Sequence, residues 1–135
     1  MDLLLDTHIF IWYATEPERI GRNTIKLLDN PRNNLFISAS SIWESAYLLE
    51  TKPKSLKIRK PLAVFWEEAL IELRVRILNI TPQHCQRFYE IQPVENHNDI
   101  FDRFIISQAA SAGIGVVSAD SKFPLYKMIR VITND

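Results

Sequence analysis

Three short stretches of this chain are apolar at consecutive positions rather than at alternate ones. They are LLL within DLLLD (2–6), LFI within LFIS (35–38) and IGVV within IGVVSAD (114–120). Successive side chains of a strand point to opposite faces, so an unbroken apolar run must be covered on both. A sheet built from such strands needs helices above and below it, and the intervening segments have the spacing to supply them.

Two further runs, RILNI (76–80) and IRVIT (129–133), complete a set of about five strands. THIFIWYATEPERIG continues from the first strand with helical spacing and breaks near Pro17. PERIGRNTIKLLDN carries Ile20, Ile25, Leu27 and Leu28 and stops at the loop DNPRNN. SASSIWESAYLLETK opens on serines suited to an N-cap and places Ile42, Ala46 and Leu49 on one face. PLAVFWEEALIELR (61–74) starts on a proline at the first helical position, TPQHCQRFYEI (81–91) on a Thr-Pro entry. DIFDRFIISQAASAG (99–113) ends at Gly113, a helix stop, and SKFPLYKM reads as a turn with one helical turn. TKPKSLKIRKP (51–61) is a basic, proline-punctuated connection. Strand and helix therefore alternate, which predicts a single α/β domain over residues 1–135: a three-layer αβα sandwich around a mainly parallel sheet.

Charge says little about partners, because 16 basic residues balance 16 acidic ones and a local patch can still bind nucleic acid. Cys85 has no second cysteine to pair with, which fits a reducing compartment. No apolar run approaches the roughly 18 residues of a membrane span. MDLLLDTHIF lacks a basic leader and a cleavage site. A cytoplasmic location is expected.

In open parallel sheets, ligands bind outside the carboxyl ends of the strands. Asp6 closes the first strand, Asp120 follows the fourth, and Glu44 lies in the helix leaving the second. Asp99 and Asp102 open the helix that feeds the fourth strand. All five acids can share one sheet edge, where their mutual repulsion raises pKa values unless a cation neutralises them. An all-oxygen donor set without zinc spacing suits Mg²⁺ or Mn²⁺. Each acid also has a plainer reading. Asp6 can N-cap the next helix, Asp99 can cap its own with Asp102 favouring the dipole, Glu44 can be solvated, and Asp120 can be a turn residue.

LLLDTHIFIW, ISASSIWESA, NDIFDRFIISQA and VVSADSKF, in this order and spacing, resemble the PIN-domain ribonucleases, especially the VapC-type toxins of type II toxin–antitoxin systems. The resemblance covers almost the whole chain. It implies a Mg²⁺- or Mn²⁺-dependent endoribonuclease that hydrolyses RNA phosphodiesters, with one or two ions held by Asp6, Glu44, Asp102 and Asp120. Asp99 is then an additional ligand or a helix cap. Ser118 stands where the family often has threonine, so its hydroxyl should bond a neighbouring acid. ETKPKSLKIRKP lacks the glycine often found after the second motif. The implied partners are RNA, a small antitoxin whose basic residue enters the acidic groove, and a second copy of the chain in a homodimer. The alternative is a non-catalytic PIN-like module that binds RNA or protein.

Rival classes fit less well. A phospho-acceptor domain needs an aspartate after the third strand, where this chain reads LNITPQ, and a metal-dependent phosphatase needs Asp-x-Asp where it reads DTH. Lys52, Lys54, Lys57, Arg59 and Lys60 form a candidate RNA-phosphate patch or a solvated loop, and Ser118 joins Lys52, Lys54 and Lys57 as a candidate substrate contact. His8 is expected to make a structural hydrogen bond and Arg103 to pair with an acid, while His97, beside the acids, is a candidate substrate contact. Trp12, Trp43, Trp66, Phe65 and Phe104 are expected in the core or in a subunit interface.

Overall fold

The computed structural model describes all residues, Met1–Asp135. β1 (Asp2–Leu5), β2 (Asn34–Ser38), β3 (Val75–Leu78), β4 (Gly115–Ser118) and β5 (Val131–Thr133) form one sheet in the order β3-β2-β1-β4-β5. Every neighbouring pair is parallel. Six helices connect and cover the strands: α1 (Thr7–Thr15), α2 (Arg22–Asp29), α3 (Ala39–Thr51), α4 (Leu62–Glu72), α5 (Pro82–Glu90) and α6 (Ile100–Ala112). Two 3₁₀ turns, Pro17–Arg19 and Phe123–Leu125, complete the chain.

The consecutive apolar runs do what their pattern requires. Leu3 and Leu5 enter one core with Leu35, Ile37 and Val117, against Ile9, Phe10, Phe65 and Trp66 from the helices. Leu4 and Val116 point the other way, into a second core with Ile105, Ile106, Ala109, Phe123 and Tyr126. β3 lies at an edge, and Ile77 on it is 42% exposed, so its run is less completely covered than the central ones.

Helix ends follow local chemistry. The Ser38 side chain caps α3 by accepting from Ser40 N (3.0 Å). Thr81 opens α5 in a reciprocal box with His84, and Gly113 closes α6 at φ 69°, a left-handed position that suits glycine. Small boundary differences have simple causes. Pro61 is the cap of α4 rather than its first residue, and Pro17–Arg19 is a 3₁₀ turn separate from α2. Gly21 is set by a close approach. A Cβ there would stand 1.8 Å from the Asp135 backbone carbon, because the Asp135 carbonyl accepts from Asn23 N and Thr24 N at the start of α2.

This topology fixes the site. The chain runs outward from β1 through β2 to β3, then returns to the other side of β1 with β4 and β5. The direction reverses between β1 and β4, and a crevice opens outside their carboxyl ends.

Candidate active site

β1 and β4 deliver their last residues side by side. Asp6 N donates to Val117 O (2.9 Å), which continues the ladder one step beyond the sheet. Ser118, at the end of β4, donates its hydroxyl to Asp6 Oδ2 (2.8 Å). The same hydroxyl accepts from Asp120 N (3.0 Å), so one side chain sets the relation between the two acids. Asp120 Oδ1 in turn accepts from Lys122 N (2.8 Å), which closes the turn. Glu44 projects from the second turn of α3, and Asp102 from the first turn of α6. Asp6, Glu44, Asp99, Asp102 and Asp120 line one pocket together with His8, Trp12 and Ala119.

Asp6 stands at the N-cap position of α1, yet its side chain makes no capping bond; it is turned toward Ser118. The capping explanation therefore fails for Asp6. It holds for Asp99, whose Oδ1 accepts from Asp102 N (3.0 Å) while the residue also lines the pocket. Glu44 is 5% exposed, which removes the solvated reading.

Three carboxyl groups are electrically strained. Burial is the leading cause of a raised pKa at Asp6. Burial lifts Glu44 to about 7, with the Thr7 hydroxyl pulling the other way and Asp99 and Asp6 adding to the rise. Asp102 is pushed up to about 9, by burial first and then by the charges of Asp6, Asp99, Glu44 and Asp120. Two oxygens, Asp6 Oδ1 and Glu44 Oε1, are buried without any hydrogen-bond partner. Buried carboxylate oxygens are ordinarily satisfied, because leaving one bare costs about 1–3 kcal/mol or more. A divalent cation with oxygen ligands would satisfy both and relieve the repulsion, so the donor set fits such an ion. One oxygen each from Asp102 and Asp120 and a His97 ring nitrogen also lie within 4.8 Å of one another.

Other expectations resolve differently. His97 is buried beside the acids; its Nε2 is 3.3 Å from Asp102 Oδ2 and its Nδ1 is 2.8 Å from Tyr126 Oη. Burial lowers the His97 pKa. His8 lines the pocket, its ring tilted against Trp12, in place of the structural hydrogen bond expected of it. Arg103 does not pair with an acid: its guanidinium lies 4.5 Å over the Phe88 ring. Phe65 and Trp66 are core residues, whereas Trp43 is 60% exposed with its ring edge-on to Phe101. Phe104 packs beside Phe88, and Trp12 carries the Arg19 guanidinium at 4.3 Å.

The basic connection sits elsewhere. Lys57 pairs with Glu16 (3.2 Å) and Lys60 with Glu68 (2.7 Å), and Lys57, Arg59 and Lys60 line a cleft with Ala14 and Thr15 at the far end of α1. Lys52 follows α3, and Lys54 lies exposed in the loop beyond it. Ser118 is buried and engaged with Asp6. Sequence reading missed the link from Tyr126 through His97 to Asp102. Tyr126 lies 24 residues beyond Asp102 with no spacing that marks it.

The family model described as PIN domain matches residues 3–127. The chain is similar to Ribonuclease VapC22 of Mycobacterium tuberculosis, at 28% identity over 131 residues, covering 97% of this chain and 96% of that one. Among solved structures, the fold is similar to a chain of VapBC2 from Rickettsia felis bound to a promoter DNA fragment (TM-score 0.73, 20% identity, 100% of both chains). It is also similar to a chain of a toxin–antitoxin complex from Klebsiella pneumoniae (TM-score 0.62, 18% identity, 98% of both chains).

Proposed function

The chain belongs to the PIN-domain family, and from that premise we propose that it is a Mg²⁺- or Mn²⁺-dependent endoribonuclease acting as the toxin of a toxin–antitoxin pair. The observation that carries this reading is the convergence of Asp6, Glu44, Asp102 and Asp120 in one pocket at the reversal point of the sheet, with two carboxylate oxygens buried and bare. Perturbed carboxyl groups gathered in one cleft favour a catalytic site over a non-catalytic module.

The four acids would hold the cation, with Asp99 at the rim as cap of α6 and available as a further oxygen donor. A bound divalent ion supplies charge neutralisation at the scissile phosphate and an acidified water. Ser118 fixes Asp6 through Oδ2 and leaves Oδ1 for the pocket. Trp12 and His8 bring two aromatic rings to the pocket, with centroids 5.9 Å apart, against which a nucleotide can rest. RNA as substrate is supported by the ribonuclease relative, and an antitoxin partner by the toxin–antitoxin complexes of the same fold. A basic side chain from that partner would meet a complementary charge in the pocket. The remaining parts of the reading are a single domain over residues 1–135, a homodimer and a cytoplasmic location; no helix is long and apolar enough to cross a membrane.

The test is cleavage of RNA by the purified chain in Mg²⁺ or Mn²⁺, repeated with chelator and with Asp6→Asn. Both changes should abolish cleavage. An Asp6→Asn protein that cleaves like the wild type would sink the assignment.

A further inference from the structure

We propose that His97 is a positioning residue of the acidic pocket, holding Asp102 through an Nε2–H hydrogen bond in a tautomer dictated by Tyr126. The proposal rests on the reading of that pocket as a divalent-cation site. The Val94 N–H can only donate, and it reaches Tyr126 Oη at 3.3 Å. Tyr126 is 1% exposed, and its phenolic proton finds an acceptor in His97 Nδ1, 2.8 Å away. Nδ1 of a neutral imidazole that accepts leaves the ring proton on Nε2. Nε2 faces Asp102 Oδ2 at 3.3 Å. His97 is 2% exposed, and both of its ring nitrogens are engaged within the protein.

The tautomer decides between two roles. The His97 ring nitrogen is near enough to oxygens of Asp102 and Asp120 to look like a third ligand. A protonated Nε2 has no lone pair to give a cation. His97 therefore acts through Asp102, fixing Oδ2 and leaving the other carboxylate oxygen uncommitted. Three separated parts of the chain meet in this contact: the loop bearing Val94 and His97, the first turn of α6, and Tyr126 at the end of the 3₁₀ turn after β4. Partners of this kind, one bond removed from a metal, typically change its affinity about 10- to 100-fold when removed.

The experiment is Mn²⁺ titration of the purified full-length chain, with free Mn²⁺ read by electron paramagnetic resonance. His97→Ala should weaken binding about 10- to 100-fold. His97→Gln, whose amide nitrogen can stand in for Nε2–H, should recover most of the loss. Tyr126→Phe should also weaken binding, because it frees the ring to move its proton to Nδ1. In an Asp102→Asn background, His97→Ala should add no further loss, since the two act as one unit. A folded His97→Ala protein with wild-type affinity overturns the proposal. So does a Tyr126→Phe protein that binds Mn²⁺ as tightly or more tightly, the behaviour of a histidine ligand set free. Should His97→Ala fail to fold, His97→Gln and Tyr126→Phe decide the matter. Wild-type chain that binds no Mn²⁺ overturns the cation site itself, and the proposal with it. Wild type that binds Mn²⁺ and cleaves RNA while both His97 and Tyr126 variants bind normally overturns the positioning role alone.

Discussion

Metal-free protein should lose stability as pH rises from 6.5 to 8.5, the reverse of what salt-bridged carboxylates produce. Asp102 carries the effect. Its folded pKa is raised to about 9 from the ordinary 3.8, and its side chain is only 15% exposed, so screening by solvent is slight. Throughout this window the folded protein holds the proton and the unfolded chain does not. Unfolding therefore releases one proton, and stability falls by about 1.4 kcal/mol per pH unit, or about 2.7 kcal/mol over the window. Glu44, raised to about 7, adds a smaller loss in the lower part of the range. His97, whose lowered pKa works in the opposite sense, is neutral in both states over most of the window and contributes little. For a domain of this size, 2.7 kcal/mol corresponds to a Tm drop of about 10 °C. The assay is thermal unfolding by circular dichroism in excess chelator at several pH values, on wild type and Asp102→Asn. Asp102→Asn should flatten the profile and be the more stable protein at pH 8.5. Saturating Mn²⁺ should reverse the wild-type slope, because a cation takes the deprotonated carboxylates and binds more tightly as pH rises. A chelated wild type whose Tm is level or climbs between pH 6.5 and 8.5 would refute the reasoning.

Asp102→Asn should abolish RNA cleavage, whereas Asp99→Asn, which keeps a capping oxygen, should retain part of it; cleavage rates of the two purified variants decide which acid is indispensable. Asp99→Ala should additionally cost about 1 kcal/mol in urea unfolding through loss of the α6 cap. Gly21→Ala should destabilise by about 2–3 kcal/mol in urea, because the added carbon would overlap the Asp135 backbone and displace its bonds to α2. Trp66→Phe removes the buried bond from Nε1 to Ser45 Oγ (3.0 Å) and should cost about 1–3 kcal/mol, with a Tm drop to match.

The sheet was legible because LLL and GVV cannot sit on a half-exposed strand, and two packed cores are the only way to cover both faces. The order β3-β2-β1-β4-β5 was not legible: each run says that it is buried but not which run lies beside it. The acids at the strand ends could be placed on one edge by rule, yet Asp6 remained open, since an aspartate before a threonine and a helix reads equally well as a cap. Only the turn of its side chain toward Ser118 separates the two. Arg103 misled through adjacency. Neighbours in a helix point about 100° apart, so standing next to Asp102 in sequence sends Arg103 to Phe88 instead. The His97–Tyr126 contact lies outside what pattern can reveal, because it joins residues 29 apart through a loop.

The reversal of the sheet between β1 and β4 also sets a clock. Asp6 leaves the ribosome before Asp120, which comes 114 residues later, so the two halves of the pocket are made well apart in time. At about 5–20 residues per second, that interval is about 6–23 seconds. No nascent chain that stops short of Asp120 can carry the assembled pocket, however well its early strands have paired. Pairing β4 with β1 thus ties the complete site to the last of its acids to be made.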